Sequence, residues 1–232
     1  MRIGVVTFPG SNCDQDARHV VDAVGAEAVA LWHKDTELPA VDAVVLPGGF
    51  SYGDALRCGA IARFSPIMEA VRGFAAEGGP VLGICNGFQV LTEAGLLPGA
   101  LLRNQGLTFI CEDVHLATAN GHRPWTTLCP ETIVAPIAHH DGCYYADDET
   151  LRRIEGEGQV AFRYCDRDGN VTEAANPNGS LNNIAGITNA AGNVLGMMPH
   201  PERNAESVLG DASGAWVFRS VVHWLTEGQV GR

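Results

Sequence analysis

Residues 81–89 have the sequence Val-Leu-Gly-Ile-Cys-Asn-Gly-Phe-Gln. The apolar run Pro80–Ile84 predicts a short buried strand, and Gly87–Ala94 predicts a helix directly after it. Cys85 lies between two glycines at the junction, which is the Gly-x-nucleophile-x-Gly pattern of a nucleophile elbow with sulfur in place of oxygen. A helix N-terminus beside the sulfur favours a thiolate, and the Asn86 N–H would point toward an oxyanion. The alternative that this stretch leaves open is a buried cysteine that only ends a core strand.

The chain before this stretch alternates between strand and helix patterns. Three short apolar runs predict strands, and two amphipathic stretches that end at glycines predict helices. Strands that alternate with helices indicate β-α-β units in a parallel sheet with right-handed crossovers. The predicted strands are Ile3–Phe8, Glu27–Trp32 and Val41–Leu46, and the predicted helices are Asp14–Val24 and Ser65–Ala76.

The second half of the chain has strand patterns and hairpin-type turns. We therefore predict an α/β fold, a flavodoxin-like open parallel sheet with helices on both faces and antiparallel additions in the second half. Because no repeat or linker is found, residues 1–232 are predicted to form a single domain. The predicted strands are Phe109–Ala117, Thr132–Ala138, Gln159–Cys165, Ile184–Thr188 and Val194–Met198; the helices are Leu151–Glu155 and Ala215–Leu225; the turns are Asp168–Asn170 and Ala191–Asn193.

The composition excludes several classes of function. The chain has 232 residues, a formal net charge of −12 and no basic run, which argues against nucleic acid or a membrane surface as a partner. Its seven cysteines form no CxxC pair, which argues against a zinc ribbon or a thioredoxin-type site. The N-terminal apolar run is too short for a signal peptide, and no stretch is long enough to span a membrane. We therefore expect a cytoplasmic protein with reduced thiols.

A second candidate motif follows the predicted strand Val194–Met198. Residues 198–202 are Met-Pro-His-Pro-Glu, so His200 lies between two prolines that restrict its backbone, and Glu202 comes two residues later. A cysteine nucleophile needs a base, and the base needs an orienting group, so this pair matches what Cys85 requires. A histidine in a surface turn without a role is the alternative for this motif taken alone.

A glycine-rich turn follows the predicted strand Val41–Leu46. Residues 47–54 are Pro-Gly-Gly-Phe-Ser-Tyr-Gly-Asp, and adjacent glycines let backbone N–H groups approach a substrate closely, as an oxyanion hole requires. The turn matches neither the Walker A nor the GxGxxG pattern. This turn, Cys85 and His200 all follow short apolar strands. A parallel sheet would therefore place them at the strand carboxyl ends, where ligands bind.

Together these motifs resemble a known enzyme family. The strings that are similar to class I (triad) glutamine amidotransferases are Pro47–Phe50, Gly83–Gln89 and Pro199–Glu202. The strings that narrow the resemblance to glutaminase subunits of phosphoribosylformylglycinamidine synthase, an enzyme of purine biosynthesis, are Phe8–Asp14, Pro47–Ala62 and Arg103-Asn104 before Phe109. The resemblance extends from residue 1 to the predicted C-terminal helix.

The resemblance implies a role for each of these residues. Cys85 would attack the side-chain amide of glutamine, His200 would act as general base and acid, and Glu202 would orient His200. Backbone N–H groups of Gly49 and Asn86 would stabilise the oxyanion. The groups implied to line the glutamine site are Gln89 and the backbone of Gly48, Gly49, Phe50 and Ser51.

The resemblance also implies partners. Ammonia from L-glutamine would pass to a synthetase subunit that converts formylglycinamide ribonucleotide to its amidine with ATP. This chain has no ATP-grasp or Walker signature, so ATP and Mg²⁺ are expected on the synthetase and no cofactor is expected in this chain. Whether a small third subunit is required stays open.

One implied loop departs from the family pattern. Residues 136–142 match a family loop near the partner interface, but the chain has His139-His140-Asp141 where the form most associated with the family has His-Gly-Glu. The roles of His140 and Asp141 are therefore left open. Adjacent side chains converge poorly on one ion, so no metal site is predicted here.

Two other classes of function remain open on the sequence alone. A stand-alone cysteine hydrolase of α/β-hydrolase type shares the elbow, but it takes its acid from before the histidine, whereas Glu202 follows His200. A non-catalytic regulatory module of the same fold would not need Cys85, His200 and Glu202 together.

Overall fold

Over residues 1–121 and 123–230, which the computed structural model describes, the chain forms eleven strands and five α-helices. The strands are β1 (Arg2–Thr7), β2 (Glu27–Trp32), β3 (Ala43–Leu46), β4 (Val81–Ile84), β5 (Ala100–Leu102), β6 (Ile110–Thr118), β7 (Thr132–His139), β8 (Cys143–Tyr145), β9 (Val160–Cys165), β10 (Ile184–Thr188) and β11 (Val194–Met197). The helices are α1 (Asp14–Ala23), α2 (Ile67–Ala76), α3 (Asn86–Glu93), α4 (Asp148–Gly156) and α5 (Ala215–Val230).

Nine of these strands form one mixed sheet in the order β2-β1-β3-β4-β11-β10-β9-β6-β7. Strands β2, β1, β3, β4 and β11 pair in parallel, and the pairings from β11 across to β7 are antiparallel. All four residues of β3 and all four of β4 are buried, as in strands that are covered on both faces. The predicted flavodoxin-like parallel sheet with antiparallel additions is confirmed.

The connections explain why the functional motifs meet. The step from β1 to β2 goes toward one edge of the sheet, and the step from β3 to β4 goes toward the other edge. Because both crossovers are right-handed, α1 and α2 lie on opposite faces of the sheet. The two directions diverge between β1 and β3, which is the kind of position where open α/β sheets bind ligands. Leu46 pairs with Gly83, and Ile84 pairs with Met197. Strands β3, β4 and β11 therefore end at the same level, and the segments after them lie side by side.

The sequence patterns miss one small sheet. Strand β5 pairs with β8 in a separate antiparallel ribbon, and each strand has only three residues. Three residues are too few to show an alternating pattern, so this pairing depends on contacts distant in sequence. One such contact is the Tyr144 N–H, which donates to Oγ of Ser180 at 2.9 Å.

The two predicted turns have different outcomes. Residues Ala191–Asn193 lie in the turn that joins the antiparallel strands β10 and β11, as predicted. The Gly169 N–H donates to the Asp166 carbonyl (3.0 Å), so a turn forms at residues 168–170 too, but no strand follows it directly. Strand β9 instead reaches its partner β10 through the long segment 166–183, so the turn at 168–170 is not the hairpin that its sequence suggests.

Helix ends account for most of the other differences. Helix α4 begins earlier than predicted because Oδ1 of Asp147 accepts the Thr150 N–H (2.8 Å) and caps the helix.

All seven cysteines are free thiols. None of the helices in the described residues is long and apolar enough to cross a membrane.

Candidate active site

Cys85 occupies the sharp turn between β4 and α3. Its backbone has φ 49° and ψ −104°, a conformation that a non-glycine residue adopts only under strain. The Cys85 N–H donates to the Met197 carbonyl at 2.8 Å, which ties the turn to β11. Strained backbone at a strand-to-helix turn is characteristic of a nucleophile elbow, and a strand that merely ends in the core does not need it. The geometry therefore favours the nucleophile over the core-cysteine alternative.

Close packing requires the glycines on either side of Cys85. A Cβ on Gly83 would lie 2.7 Å from the carbonyl carbon and oxygen of Gly87, and a Cβ on Gly87 would overlap the Leu46 carbonyl. Because these are contacts with backbone atoms, rotation of a side chain cannot relieve them. The two small residues let α3 pack directly against the ends of β3 and β4.

His200 and Glu202 form a buried pair in the segment after β11. Nδ1 of His200 lies 2.6 Å from Oε1 of Glu202, and the His200 N–H donates to the Pro136 carbonyl of β7 at 2.8 Å. Because a carboxylate only accepts hydrogen bonds, Nδ1 carries a proton. Nε2 of His200 has no hydrogen-bond partner among the described residues and is free to exchange protons. Burial alone would lower the pKa of His200, but the Glu202 carboxylate and Cys85 raise it well above its usual value.

These features fit a thiolate–imidazolium pair. The raised pKa of His200 favours its charged imidazolium form, and the N-terminus of α3, whose partial positive charge suits an anion, lies beside the Cys85 sulfur. The carboxylate of Glu202 follows the histidine in the chain, contrary to the α/β-hydrolase order of acid before histidine. The pair therefore fits acyl transfer by a cysteine and counts against the α/β-hydrolase alternative.

The glycine-rich turn offers an N–H group for an oxyanion. Gly49 has φ 148°, and a Cβ there would lie 2.7 Å from Cα of Ser11, so only glycine fits. The Phe50 N–H already donates to the Gly10 carbonyl at 2.9 Å, whereas the Gly49 N–H donates to no acceptor in the described part of the chain. The Asn86 N–H, at the start of α3, has no partner within the helix. Gly49 and Asn86 as oxyanion donors stay predictions, and these two observations support them.

The side chains of Asn86 and Gln89 brace the site rather than line its cavity. Oδ1 of Asn86 accepts the Ser51 N–H at 3.1 Å, and its Nδ2 donates to Oε1 of Gln89 at 2.9 Å. Nε2 of Gln89 then donates to the Asp141 carbonyl at 2.7 Å. This chain of bonds connects the glycine-rich turn, α3 and the 136–142 loop. The amide of Gln89 is already hydrogen-bonded within the protein. Its predicted contact with glutamine stays a prediction.

A cavity of about 130 Å³ opens at the carboxyl ends of the parallel strands. Four predicted site residues line it, namely Gly49, Phe50, Cys85 and His200. The lining residues that sequence reasoning missed are Asn12, Cys13, Phe109, Ala138 and Arg203. Asn12 and Cys13 belong to the Phe8–Asp14 string that carried the resemblance, and Arg203 directly follows Glu202. Their places in or beside these motifs were a signal that they could belong to the site. Nothing in the sequence alone indicated that the two segments meet.

The family is decided by a comparison over almost the whole length of the chain. The family model described as a CobB/CobQ-like glutamine amidotransferase domain matches residues 1–225. The chain belongs to this family. The predicted class of enzyme, a glutamine amidotransferase, is therefore confirmed.

Named relatives show which kind of glutamine amidotransferase this chain is similar to. It is 60% identical over 231 residues to "Phosphoribosylformylglycinamidine synthase subunit PurQ" of Thermosynechococcus vestitus, covering 96% of each chain. It is 56% identical over 232 residues to the protein of the same name from Moorella thermoacetica, covering 99% of this chain and 98% of the relative. The predicted resemblance to glutaminase subunits of phosphoribosylformylglycinamidine synthase is confirmed.

Solved structures agree with the fold of the amidotransferase. A chain in the "Structure of PurLQS from Thermotoga maritima" matches with a TM-score of 0.85 and 41% identity, covering 97% of this chain and 98% of that chain. The crystal structure of another glutamine amidotransferase from Thermotoga maritima matches with a TM-score of 0.60, covering 98% of each chain. At 15% identity, the second likeness shows the fold alone.

The segment 136–142, which matches a family loop in sequence, begins with the last four residues of β7, and its polar side chains do not gather around one point. His139 is buried, its Nδ1 lies 3.1 Å from Oδ1 of Asn104, and burial together with the charge of His200 lowers its pKa to about 4. His140 instead pairs with Asp141, with 3.4 Å between Nδ1 and Oδ2. The proximity of this loop to a partner stays a prediction.

A different group in the amidotransferase offers metal-ligating atoms. Cys13, His200 and Glu202 each present one such atom, and these atoms lie within 4.8 Å of one another. A cation bound by all three would have to break the His200–Glu202 bond and would face Arg203, whose Nη2 lies 3.0 Å from Sγ of Cys13. We therefore interpret the group as proton-transfer machinery, and the absence of a metal stays a prediction.

Proposed function

We propose that this chain is the glutaminase subunit of a phosphoribosylformylglycinamidine synthase in purine biosynthesis. It hydrolyses L-glutamine to glutamate and ammonia, and a synthetase chain uses the ammonia and ATP to convert formylglycinamide ribonucleotide to its amidine. The observation that carries the hydrolytic half is the buried His200–Glu202 pair in the cavity that holds Cys85. The names of the relatives support the synthetic half.

The first half-reaction forms a thioester. The Cys85 thiolate attacks the carbonyl carbon of the glutamine side-chain amide, and the carbonyl electron pair moves onto oxygen. The N–H groups of Gly49 and Asn86 stabilise that oxyanion. When the intermediate collapses, the C–N bond breaks and Nε2 of His200 gives its proton to the leaving nitrogen, which departs as ammonia.

The second half-reaction restores the enzyme. Neutral His200 takes a proton from water, the water oxygen attacks the thioester carbonyl, and the Cys85 sulfur leaves as thiolate while glutamate is released. Glu202 holds the Nδ1 proton in place and stabilises the imidazolium. Gln89 and Asn86 keep the turn that carries Gly49 in register with α3 through Ser51.

The ammonia requires a partner. Free ammonia is protonated at neutral pH and lost by diffusion, so we infer a docked complex with an enclosed path to the synthetase. ATP and Mg²⁺ belong to that synthetase, and residues 1–232 act as one amidotransferase domain. The half-exposed Phe50 and Phe109 lie at the cavity, where a docked partner would cover them.

Dependence on the partner tests this function. We expect the isolated chain to hydrolyse glutamine slowly, and saturating synthetase with its substrates to raise kcat/KM by about 5- to 150-fold, the usual range for coupling between sites. The physical reason is that Gly49 packs on the Ser11 backbone, so a partner that presses on these loops sets the orientation of the oxyanion N–H. The measurement is steady-state glutamate production with and without synthetase. Equal values would refute partner control, and no glutamate in either condition would refute the glutaminase.

A further inference from the structure

Cys13 lies in the wall of the catalytic cavity, and the reaction as described gives it no part. Its thiol donates to Oδ1 of Asn12 at 3.0 Å, and its sulfur accepts a hydrogen bond from Nη2 of Arg203 at 3.0 Å. Cys13 is buried, whereas the Arg203 side chain is partly exposed and lines the same cavity. A buried sulfur is thus held between an amide and a guanidinium directly before α1.

The Cys13 sulfur packs against the acid–base pair. It lies within 4.8 Å of the ligating atoms of His200 and Glu202. A Cβ on Gly48 would lie 2.6 Å from Cε1 of His200 and 3.1 Å from Sγ of Cys13, so the ring and the sulfur meet over this glycine. The imidazole therefore has little room to tilt away from its bond with Glu202.

Arg203 is anchored at three points. Besides its bond to Cys13, its Nε lies 3.4 Å from Oδ2 of Asp16 in α1, and its backbone N–H donates to the His200 carbonyl at 3.2 Å. The guanidinium thus joins α1 to the turn that carries His200 and Glu202. It also brings a fixed positive charge close to the buried Glu202 carboxylate.

We propose that Arg203 has two roles in this site. Acting through Cys13, it is a positioning residue for His200, and its positive charge makes Cys85 and His200 release protons more readily. The inference rests on the proposed function. The charged or titratable groups close to His200 are Glu202 on its own segment, Cys85 at α3, Cys13 before α1 and His139 of β7. Arg203 stands behind this group, bonded to Cys13 and paired with Asp16 of α1, and its charge acts on Glu202. Burial and the charge of His200 lower the pKa of His139 to about 4, so it is neutral at pH 7 and Arg203 is the permanent cation next to this group.

The first test is the pH dependence of Cys85 alkylation by iodoacetamide in the full chain, followed by mass spectrometry of the Cys85 peptide. Arg203→Gln removes a positive charge and is expected to move the midpoint of the rate profile up by about half to one pH unit. Arg203→Lys keeps the charge and is expected to keep the midpoint. Arg18→Gln is the matched control, because it removes the same charge from an arginine that also pairs with an aspartate of α1. Arg18 lies 3.1 Å from Asp14 and does not line the cavity.

The second test separates positioning from charge. Cys13→Ala keeps the guanidinium and removes the sulfur. We expect it to lower glutamine-dependent kcat by about tenfold and to move the alkylation midpoint less than Arg203→Gln does, while ammonium-dependent synthesis is unchanged. Arg203→Gln is also expected to lower glutamine-dependent kcat, because the imidazole is less firmly positioned, and Arg203→Lys should recover part of that loss.

Failure of this inference can be told apart from failure of the proposed function. Alkylation needs neither glutamine nor a partner, so it judges the inference even if the chain proves not to be a glutaminase. An Arg203→Gln profile that coincides with wild type, or an Arg18→Gln shift of the same size, would overturn the inference. Full glutamine-dependent kcat in Cys13→Ala would overturn the positioning role.

Discussion

Cys85→Ala is expected to abolish glutamine-dependent amidine synthesis by the complex and to leave ammonium-dependent synthesis at the wild-type rate. Without the sulfur no thioester can form, and loss of a nucleophile costs about three orders of magnitude or more. Alanine and cysteine have the same difficulty with φ 49°, so the substitution adds no backbone strain. The measurement is amidine formation with glutamine and, separately, with ammonium as nitrogen donor.

Two further variants make this expectation specific. Cys85→Ser should also fail, because a serine hydroxyl is far less ionised than a thiol at neutral pH. Cys111→Ala should behave as wild type, because Cys111 is an exposed free thiol on β6. Equal loss with both nitrogen donors in Cys85→Ala would indicate a structural defect, and retained glutamine-dependent synthesis would show that Cys85 is not the nucleophile.

His200→Ala is expected to lower glutamine-dependent kcat by about 10²–10⁴-fold, because positioned proton transfer contributes on this scale. In the proposed mechanism His200 both protonates the leaving ammonia and deprotonates the attacking water, so each half-reaction would lose its proton carrier. Glu202→Ala is expected to cost much less, since in the proposed mechanism Glu202 only orients the imidazole, to which it is hydrogen-bonded, and stabilises its charge. Steady-state glutamate formation in the complex measures both variants.

The ammonium-dependent rate again serves as the control for assembly. A loss in Glu202→Ala as large as in His200→Ala would show that the carboxylate does more than orient the ring. If neither variant lost activity, the acid–base pair would have to be sought elsewhere, with His140 and Asp141 the next candidates in the 136–142 loop.

The sequence predicts most of the architecture because its local patterns agree with the tertiary fold. Continuous apolar runs such as Ala43–Leu46 and Pro80–Ile84 can be stable as strands only when both faces are covered, so they indicate a parallel sheet. The elbow is predicted because its glycines are needed for packing as well as for chemistry: Gly87 has no room for a side chain beside Leu46. Local sequence and global packing impose the same residues at these positions.

What the sequence does not predict depends on contacts between distant segments. Cys13 and Arg203 are 190 positions apart, and only the sheet order brings the segments after β1 and β11 to one edge. Strands β5 and β8 are missed for the same reason. Gln89 is a different case: its position in a motif predicts a contact with glutamine, which stays a prediction, whereas its bonds to Asn86 and to the Asp141 carbonyl could not be predicted from the sequence.

The central claim is that ammonia made at Cys85 passes directly to the synthetase. An isotope competition tests it: the complex is supplied with glutamine labelled with ¹⁵N at the side-chain amide, together with an excess of unlabelled ammonium, and the amidine nitrogen is analysed by mass spectrometry. We predict that the product carries the label far in excess of its share of the total ammonia in solution, and that Cys85→Ala removes this enrichment. Label diluted to the proportion in solution, or absent from the amidine while glutamate accumulates, would contradict the account.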